Sequence, residues 1–146
     1  MKKTVIIITA LLLVLSLTGC GKKTVVVCTM DQDHMVSANT LEANGDKVTK
    51  LSYDNTVYLS KVGMDQAAMQ AEVDNIYEAY TTTKGVSYSY DFSDDVFHET
   101  MTIDLTQTKM ADLKQLGIME NSDEKASSIS LKMTLANMES AGYTCK

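Results

Sequence analysis

The chain of 146 residues contains no arginine and no proline, and it has only two histidines and three cysteines. Its 13 basic residues are therefore all lysines, and 19 acidic residues give a formal net charge of −6. Proteins that bind nucleic acids use clusters of lysine and arginine to release counterions from the phosphates. No such cluster is present in the sequence, which excludes a nucleic-acid-binding protein.

Motifs that carry common chemistries are also missing. The sequence has no Gly-x-Ser-x-Gly elbow for a nucleophilic serine and no glycine-rich loop for phosphate. A zinc site needs three or four converging ligands, and the histidines are limited to His34 and His98. We therefore predict no metal site and no cofactor, and we expect a protein that is not an enzyme.

The N-terminus has the features of a secretory signal peptide. Lys2 and Lys3 precede an apolar run, Val5–Leu17, which is shorter than the ~20 residues that a membrane-spanning helix needs. The stretch Leu17-Thr18-Gly19-Cys20 looks like a bacterial lipobox, in which the cysteine is acylated and becomes the first mature residue. An ordinary signal peptide with a chance cysteine is the alternative. We predict a signal peptide over 1–19, an acylated Cys20, a short tether over 20–23 and one domain over 24–146.

Removal of residues 1–19 makes the chain more acidic. Of the 13 lysines 11 remain against all 19 acidic residues, so the mature formal charge is −8. An acidic domain is repelled by anionic lipid surfaces, so we expect attachment to the membrane through the lipid on Cys20 and not through the fold. The predicted location is extracytoplasmic, anchored to the cell membrane.

The remaining two cysteines form an even pair. Disulfides persist outside the cytoplasm, and Cys28 and Cys145 lie near the two ends of the mature chain. We predict a disulfide between them that closes nearly the whole domain, while two buried free thiols are the alternative.

Hydrophobic patterning predicts strands in the first half of the chain. Thr24–Met30 is β-branched and apolar, which is typical of a strand buried on both faces. Met35–Ala43 and Lys47–Ser60 flank Asn44-Gly45-Asp46. An Asn-Gly pair between two strands predicts a hairpin with a type I′ turn.

A second hairpin is predicted further along. Apolar residues alternate along Val86–Phe92 and again along Phe97–Leu105, and the two stretches are separated by a turn at Ser93-Asp94-Asp95.

Three helices are predicted around these hairpins. Apolar residues at helical spacing predict a helix over Asp65–Tyr80, a short helix over Lys109–Leu116 that stops at Gly117, and a last helix from Leu131 that Gly142 closes. The acidic stretch from Glu120 to Ser128 is predicted as a loop. Together the elements predict an α+β domain, an antiparallel sheet of about five strands with helices packed on one face.

Three segments carry a resemblance to a known family. These are residues 99–106 (ETMTIDLT), 109–118 (KMADLKQLGI) and 138–143 (MESAGY). With the lipobox and the small acidic mature domain, they resemble the YehR-like family of small bacterial lipoproteins. The resemblance implies a lipid-anchored domain of unknown biochemical role and supplies no active site. Cys28 and Cys145 are not part of the pattern.

Two classes of function remain open. The first is a non-catalytic binding module that contacts an envelope protein or ligand through its sheet or through Tyr88 and Tyr90, since tyrosines suit interfaces. The second is a small extracytoplasmic enzyme or metal-dependent protein that uses acidic residues near His98, such as Asp94 and Asp95. The lack of nucleophile and ligand motifs favours the binding module.

Overall fold

A computed structural model describes residues 21–119 and 128–146. The predicted signal peptide, Cys20 and residues 120–127 of the predicted loop lie outside the described residues.

The strands form a single antiparallel sheet. The described residues form six strands: β1 (Lys23–Gln32), β2 (Met35–Asn44), β3 (Lys47–Tyr58), β4 (Val86–Ser93), β5 (Val96–Asp104) and β6 (Thr144–Cys145). They lie in the order β4-β5-β3-β2-β1-β6. β3 pairs with β5 and so joins the two predicted hairpins, with Leu51 opposite Ile103. The two-residue β6, which the sequence did not predict, adds a sixth strand at the β1 edge.

The turn between β2 and β3 differs from the predicted type. Asn44 pairs with Lys47, so the loop consists of Gly45 and Asp46. Only Gly45 has a positive φ, of 60°. A two-residue loop with glycine in this conformation at its first position is the pattern of a type II′ turn. The predicted hairpin is confirmed, but the turn is shifted by one residue.

The sheet has one covered face and one open face. Residues alternate between the faces along each strand, as period-two geometry requires. In β1 this alternation leaves Val25 61% exposed and Val27 39% exposed, while Cys28 is fully buried. The prediction that β1 is buried on both faces is therefore wrong, because β1 is a near-edge strand and none of the described helices covers its open face.

In the part of the chain that the structure describes, four helices accompany the sheet: α1 (Leu59–Val62), α2 (Gln66–Thr82), α3 (Met110–Gln115) and α4 (Leu131–Ser140). The Asp65 side chain caps α2 by accepting from the Ala68 N–H at 2.8 Å. Gly117 and Gly142 follow α3 and α4 with φ of 70° and 98°, as expected for helix termination. The sequence predicted α2, α3 and α4 but not the single turn α1.

Asp46 connects the first hairpin to α4. Its carboxylate accepts from the Ser130 hydroxyl at 2.7 Å and from the Lys132 N–H at 2.8 Å. These hydrogen bonds, from Lys132 and then Ser130, hold the pKa of Asp46 below its usual range. The start of α4 is thereby fixed over the covered face.

Two groups of buried side chains fill the covered face. The larger group is centred on Leu41, Ile103 and Leu113 and lies under α3 and α4. The smaller group lies under α2 and consists of Leu59, Val73, Tyr88 and Phe97. The predicted fold class, an antiparallel sheet with helices on one face, is confirmed.

No helix within residues 21–119 and 128–146 combines the length and the apolar character that a bilayer crossing demands.

Cys28 and Cys145 are directly opposite each other in the β1–β6 pairing, and a disulfide joins them across 117 residues of chain. Hydrogen bonds between Val27 and Lys146 at 2.9 Å extend this pairing by one residue. The C-terminus is therefore held to the edge of the sheet by a covalent bond and by backbone hydrogen bonds.

Replacing both cysteines by alanine is expected to lower the free energy of unfolding by about 2–5 kcal/mol, because the unfolded chain regains the freedom that a long closed loop removes. Denaturant titration measures the change, and a reducing agent serves as the control. It should destabilise the parent protein and leave the double variant unaffected. Peptide mapping that recovers both thiols free in protein from its own compartment would contradict the prediction.

Candidate functional site

Tyr88, one of the two predicted interface tyrosines, belongs to the core. It is only 7% exposed, and its ring packs edge-on against Tyr80 with the centroids 5.2 Å apart. Its hydroxyl donates to Glu99 Oε2 at 2.8 Å. Burial first, and then the Glu99 carboxylate, raise the pKa of Tyr88. A side chain placed in this way stabilises α2 on the sheet and is not accessible to a partner.

Tyr90 lies two residues along the same strand and is half-buried. Its hydroxyl accepts from Gln70 Nε2 at 2.7 Å, and its ring contacts Tyr77 edge-on at 5.7 Å. Tyr77 is the more exposed of the two, at 42%. Tyr90 therefore mainly fixes α2 against the outer strand β4.

His98 lies on the open face between two carboxylates that the sequence analysis did not choose. Its Nδ1 is 3.1 Å from Asp91 on β4, and its Nε2 is 3.0 Å from Asp54 on β3. Asp95 instead accepts from the backbone N–H and hydroxyl of Ser60. Asp94 lies in the turn with φ of 50°. His98 therefore bridges three strands and has no free ring nitrogen.

In the part of the chain that the structure describes, no three His, Cys, Asp or Glu side chains converge in a way that could hold a metal ion.

A cavity lies on the covered face between α4 and strands β2 and β3. Its volume is about 260 Å³. We call it the α4 cavity. The described part of its wall has no charged side chain and is mostly apolar. The described lining comprises Asn39, Thr40, Leu41, Leu51, Ser52, Tyr53, Met119, Ile129, Thr134, Met138 and Tyr143.

Two polar groups in the wall of the α4 cavity lack a protein partner among the described residues. Asn39 is 5% exposed, and its Oδ1 is buried without a hydrogen bond. Exchanging the amide oxygen and nitrogen would only transfer the deficit to the nitrogen, because Ser37 Oγ at 3.4 Å is the single partner of this amide. Tyr53 lies opposite Asn39 in the β2–β3 pairing, and its hydroxyl makes no hydrogen bond.

Burial raises the pKa of Tyr53, with a smaller contribution from the neighbouring Tyr143. The Tyr53 hydroxyl therefore stays protonated and can both donate and accept a hydrogen bond. Buried polar groups are nearly always paired, so the unpaired Asn39 Oδ1 is an exception that needs an explanation.

A row of polar side chains leads away from the cavity across the covered face. The Tyr143 hydroxyl donates to Ser37 at 3.3 Å, and the Ser37 hydroxyl donates to Asn55 Oδ1 at 2.6 Å. Asn55 Nδ2 then donates to Glu99 Oε1 at 3.0 Å. These hydrogen bonds pair the polar side chains that lie between the two halves of the core. Asn39, which contacts Ser37 in this row, still has an unpaired Oδ1.

The α4 cavity was not predicted from the sequence, although β2 contains a signal for it. Ser37 and Asn39 occupy inward positions in the same alternation as Leu41 and Ala43, and polar residues at such positions require partners. The cavity itself could not be inferred, because its roof comes from α4, about 90 residues further along the chain.

The fold and cavity define a class of protein, a small α+β domain with one helix-covered antiparallel sheet. Residues 25–144 match the family described as "Protein of unknown function (DUF1307)", and the chain belongs to that family. The sequence-based resemblance to YehR-like lipoproteins is consistent with this assignment.

Two relatives are similar along nearly their whole length. An uncharacterised lipoprotein of Listeria innocua is 27% identical over 146 residues, covering 98% of this chain and 95% of the relative. An uncharacterised lipoprotein of Listeria monocytogenes is 24% identical over 148 residues, with the same coverage of 98% and 95%. This chain is thus similar to lipoproteins of unknown role.

Two solved structures share the fold. The NMR structure of the E. coli YehR protein has a TM-score of 0.69 at 21% identity, and the match covers 86% of this chain and 91% of that one. The NMR structure of a protein from Streptococcus pneumoniae has a TM-score of 0.60 at 13% identity, over 100% and 98% of the two chains. At these identities the likeness concerns the fold alone.

The His98 bridge predicts a pH-dependent stability. Hydrogen bonds to Asp91 and then Asp54 raise the pKa of His98 above its ordinary 6.5, so the folded protein binds this proton more tightly than the unfolded chain. The stabilisation is complete below the unfolded pKa and is lost as the pH rises through the higher folded pKa. His98→Gln is expected to lower the free energy of unfolding by at most about 1 kcal/mol near pH 5, with little effect near pH 9.

Denaturant unfolding at several pH values checks this prediction. His34→Gln is the control, since His34 lies in the exposed turn between β1 and β2. The prediction would be contradicted if the loss of unfolding free energy in His98→Gln stayed constant or grew as the pH rises.

Proposed function

We propose that this protein is a lipid-anchored, non-catalytic binding module of the cell envelope, and that the α4 cavity is its ligand site. The anchor is the acyl group on Cys20, and the lipoprotein relatives support it. Binding is supported by one observation above others. The mostly apolar wall that the described residues form contains the buried, unpaired Asn39 Oδ1, and beside it the Tyr53 hydroxyl, which makes no hydrogen bond. Pockets of this composition are typical of small-molecule sites.

The cavity wall restricts the chemistry of the ligand. The described residues place no charged side chain in the wall, so a charged ligand would lose its hydration and gain no partner from them, and the ligand is uncharged. Its body is apolar, to match Leu41, Leu51, Ile129 and Met138. It carries a donor for the Asn39 oxygen or a group that pairs with the Tyr53 hydroxyl.

A chemical role for His98 has less support. Both ring nitrogens are within hydrogen-bond distance of a carboxylate, so neither is available to ligate a metal or to accept a proton from a substrate. The same contacts are explained by the stabilisation of three neighbouring strands.

Indole and indene are matched probes for the cavity, because they have nearly the same shape but only indole carries an N–H donor. We expect a chain that begins at Gly21 to bind indole about fivefold more tightly than indene, the scale of one net hydrogen bond. Asn39→Leu combined with Tyr53→Phe should remove this preference, and Thr134→Trp should block both probes by filling the cavity. NMR titration measures the affinities.

Asn137→Leu is the control for these variants, since Asn137 lies on the exposed side of α4. It should bind both probes as the parent does. Failure of the parent to bind either probe would mean that the cavity holds only water, and equal binding of the two probes would remove the role of the unpaired polar groups.

For the anchor, Cys20→Ala in the full-length chain is expected to leave the precursor unprocessed or to release the protein from the membrane fraction. Fractionation followed by immunoblotting detects either result, and mass analysis of the N-terminal peptide detects the acyl group. A variant that is cleaved after Gly19 and still sediments with membranes would contradict acylation of Cys20.

A further inference from the structure

The net acidic charge of the domain is not evenly distributed between the two ends of the sheet. One end contains the start of β1, the β2–β3 turn and the end of β5. The opposite end contains the β1–β2 turn, the β4–β5 turn and the start of α2. We call the first the lysine end and the second the acidic end.

The lysine end carries six exposed lysines. Lys23 pairs with Asn44 beside the β2–β3 turn, and Lys47 follows that turn and bridges to Ser130 at the start of α4. None of the six forms an ion pair within the described part of the chain, so all are available to an external anion. They are Lys22, Lys23, Lys47, Lys84, Lys109 and Lys132.

Acidic residues at the lysine end are mostly occupied by internal contacts. Asp46 binds Ser130 and Lys132 N–H, and Asp104 binds Thr106 and Gln107. Glu42 is paired with a seventh lysine, Lys50, at 3.2 Å, and Asp112 in the first turn of α3 is a further carboxylate close to this end. The described lysine end therefore has a net positive charge.

The acidic end has the opposite balance. Five aspartates lie at this end, in its turns, at the start of α2 or near the end of β1. Lys61 is its one described lysine and is already paired with Asp33 at 2.7 Å. The five are Asp31, Asp33, Asp65, Asp94 and Asp95. The domain is thus a dipole along the strand direction, although its total charge is negative.

Apolar side chains accompany the free lysines. Met133, beside Lys132 in the first turn of α4, is 67% exposed, the largest value among the exposed large hydrophobic side chains. Val25, three residues after Lys22, is 61% exposed. Lysines next to exposed apolar side chains suit the boundary between headgroups and acyl chains.

Gly21, the residue that follows Cys20 in the sequence, is at the lysine end. Gly21 lies against the β2–β3 turn so closely that an added Cβ would approach Gly45 N to 2.8 Å, and Lys22 O accepts from Gly45 N–H at 3.0 Å. Part of the predicted tether over 20–23 is therefore already bound to the sheet. A lipid on Cys20 would hold the lysine end within a few residues of the headgroups, inside the screening length of about 10 Å.

We propose that the lysine end docks on the anionic surface of the membrane that holds the Cys20 lipid, with Lys22, Lys23, Lys47 and Lys132 against lipid phosphates and Met133 at the interface. The acidic end then points away from the bilayer. This orientation rests on the lipid anchor proposed above, and it replaces the expectation that the acidic domain as a whole is repelled by anionic lipid.

Lysine acylation footprinting of the full lipidated protein tests the orientation. The protein is reconstituted into phosphatidylcholine vesicles with or without phosphatidylglycerol, and modification is quantified by mass spectrometry. Lys47 and Lys132 are expected to react several-fold more slowly when phosphatidylglycerol is present, and high salt should restore their reactivity. Lys61 at the acidic end and Lys146 at the sheet edge are internal references that should not change.

In a variant that combines Lys47→Gln with Lys132→Gln, the reactivity of Lys22 and Lys23 should differ much less between vesicles with and without phosphatidylglycerol. The matched control combines Lys61→Gln with Lys146→Gln and should show the same difference in reactivity as the parent protein. Equal footprints in both kinds of vesicle, or protection of Lys61, would overturn the proposal.

The two proposals fail in different ways. Protein that does not stay with the vesicles, or lacks an acylated N-terminal peptide, contradicts the anchor. Protein that stays with the vesicles, but whose lysines react equally with and without phosphatidylglycerol, contradicts only the docking of the lysine end.

Discussion

The pairing of β3 with β5 is the contact on which the rest of the structure depends. It joins two local hairpins, and it places Leu51 opposite Ile103 and Asn55 opposite Glu99. The result is one continuous inner face, wide enough to need α2 over one half and α3 with α4 over the other. These strands are about 50 residues apart in sequence, so their pairing costs conformational entropy. Only the burial of the shared apolar face can offset that cost.

That dependence explains which parts of the fold were predictable from sequence. The hairpins around Gly45 and Asp94 and the helix capped by Asp65 are set by neighbouring residues, and all three were predicted. The β3–β5 pairing, the turn α1 and the strand β6 depend on contacts between distant segments. Val25 and Val27 show the same limit, because three consecutive valines predict a strand but cannot show that no helix covers its second face.

The functional residues were less predictable than the fold. Tyrosine serves equally well in a core and in an interface, so the sequence could not show that Tyr88 lies beneath α2 with its hydroxyl on Glu99. His98 was selected for its nearness in sequence to Asp94 and Asp95, whereas its partners Asp54 and Asp91 come from the two strands beside it. Asn39 and Tyr53 could not be recognised as cavity residues from the sequence, because the cavity exists only where α4 packs over them.

Net charge was the least informative quantity, because it sums residues that the fold places at opposite ends of the sheet. Antiparallel strands bring every second turn to the same end, so lysines before β1, after the β2–β3 turn and before β4 lie together although they are far apart in sequence. The aspartates of the alternate turns lie together at the other end by the same geometry. A surface potential depends on this arrangement over distances of about 10 Å and not on the total. The strand topology therefore separates the two signs of charge, and it also places the end of the chain that leads to Cys20 on the positive side.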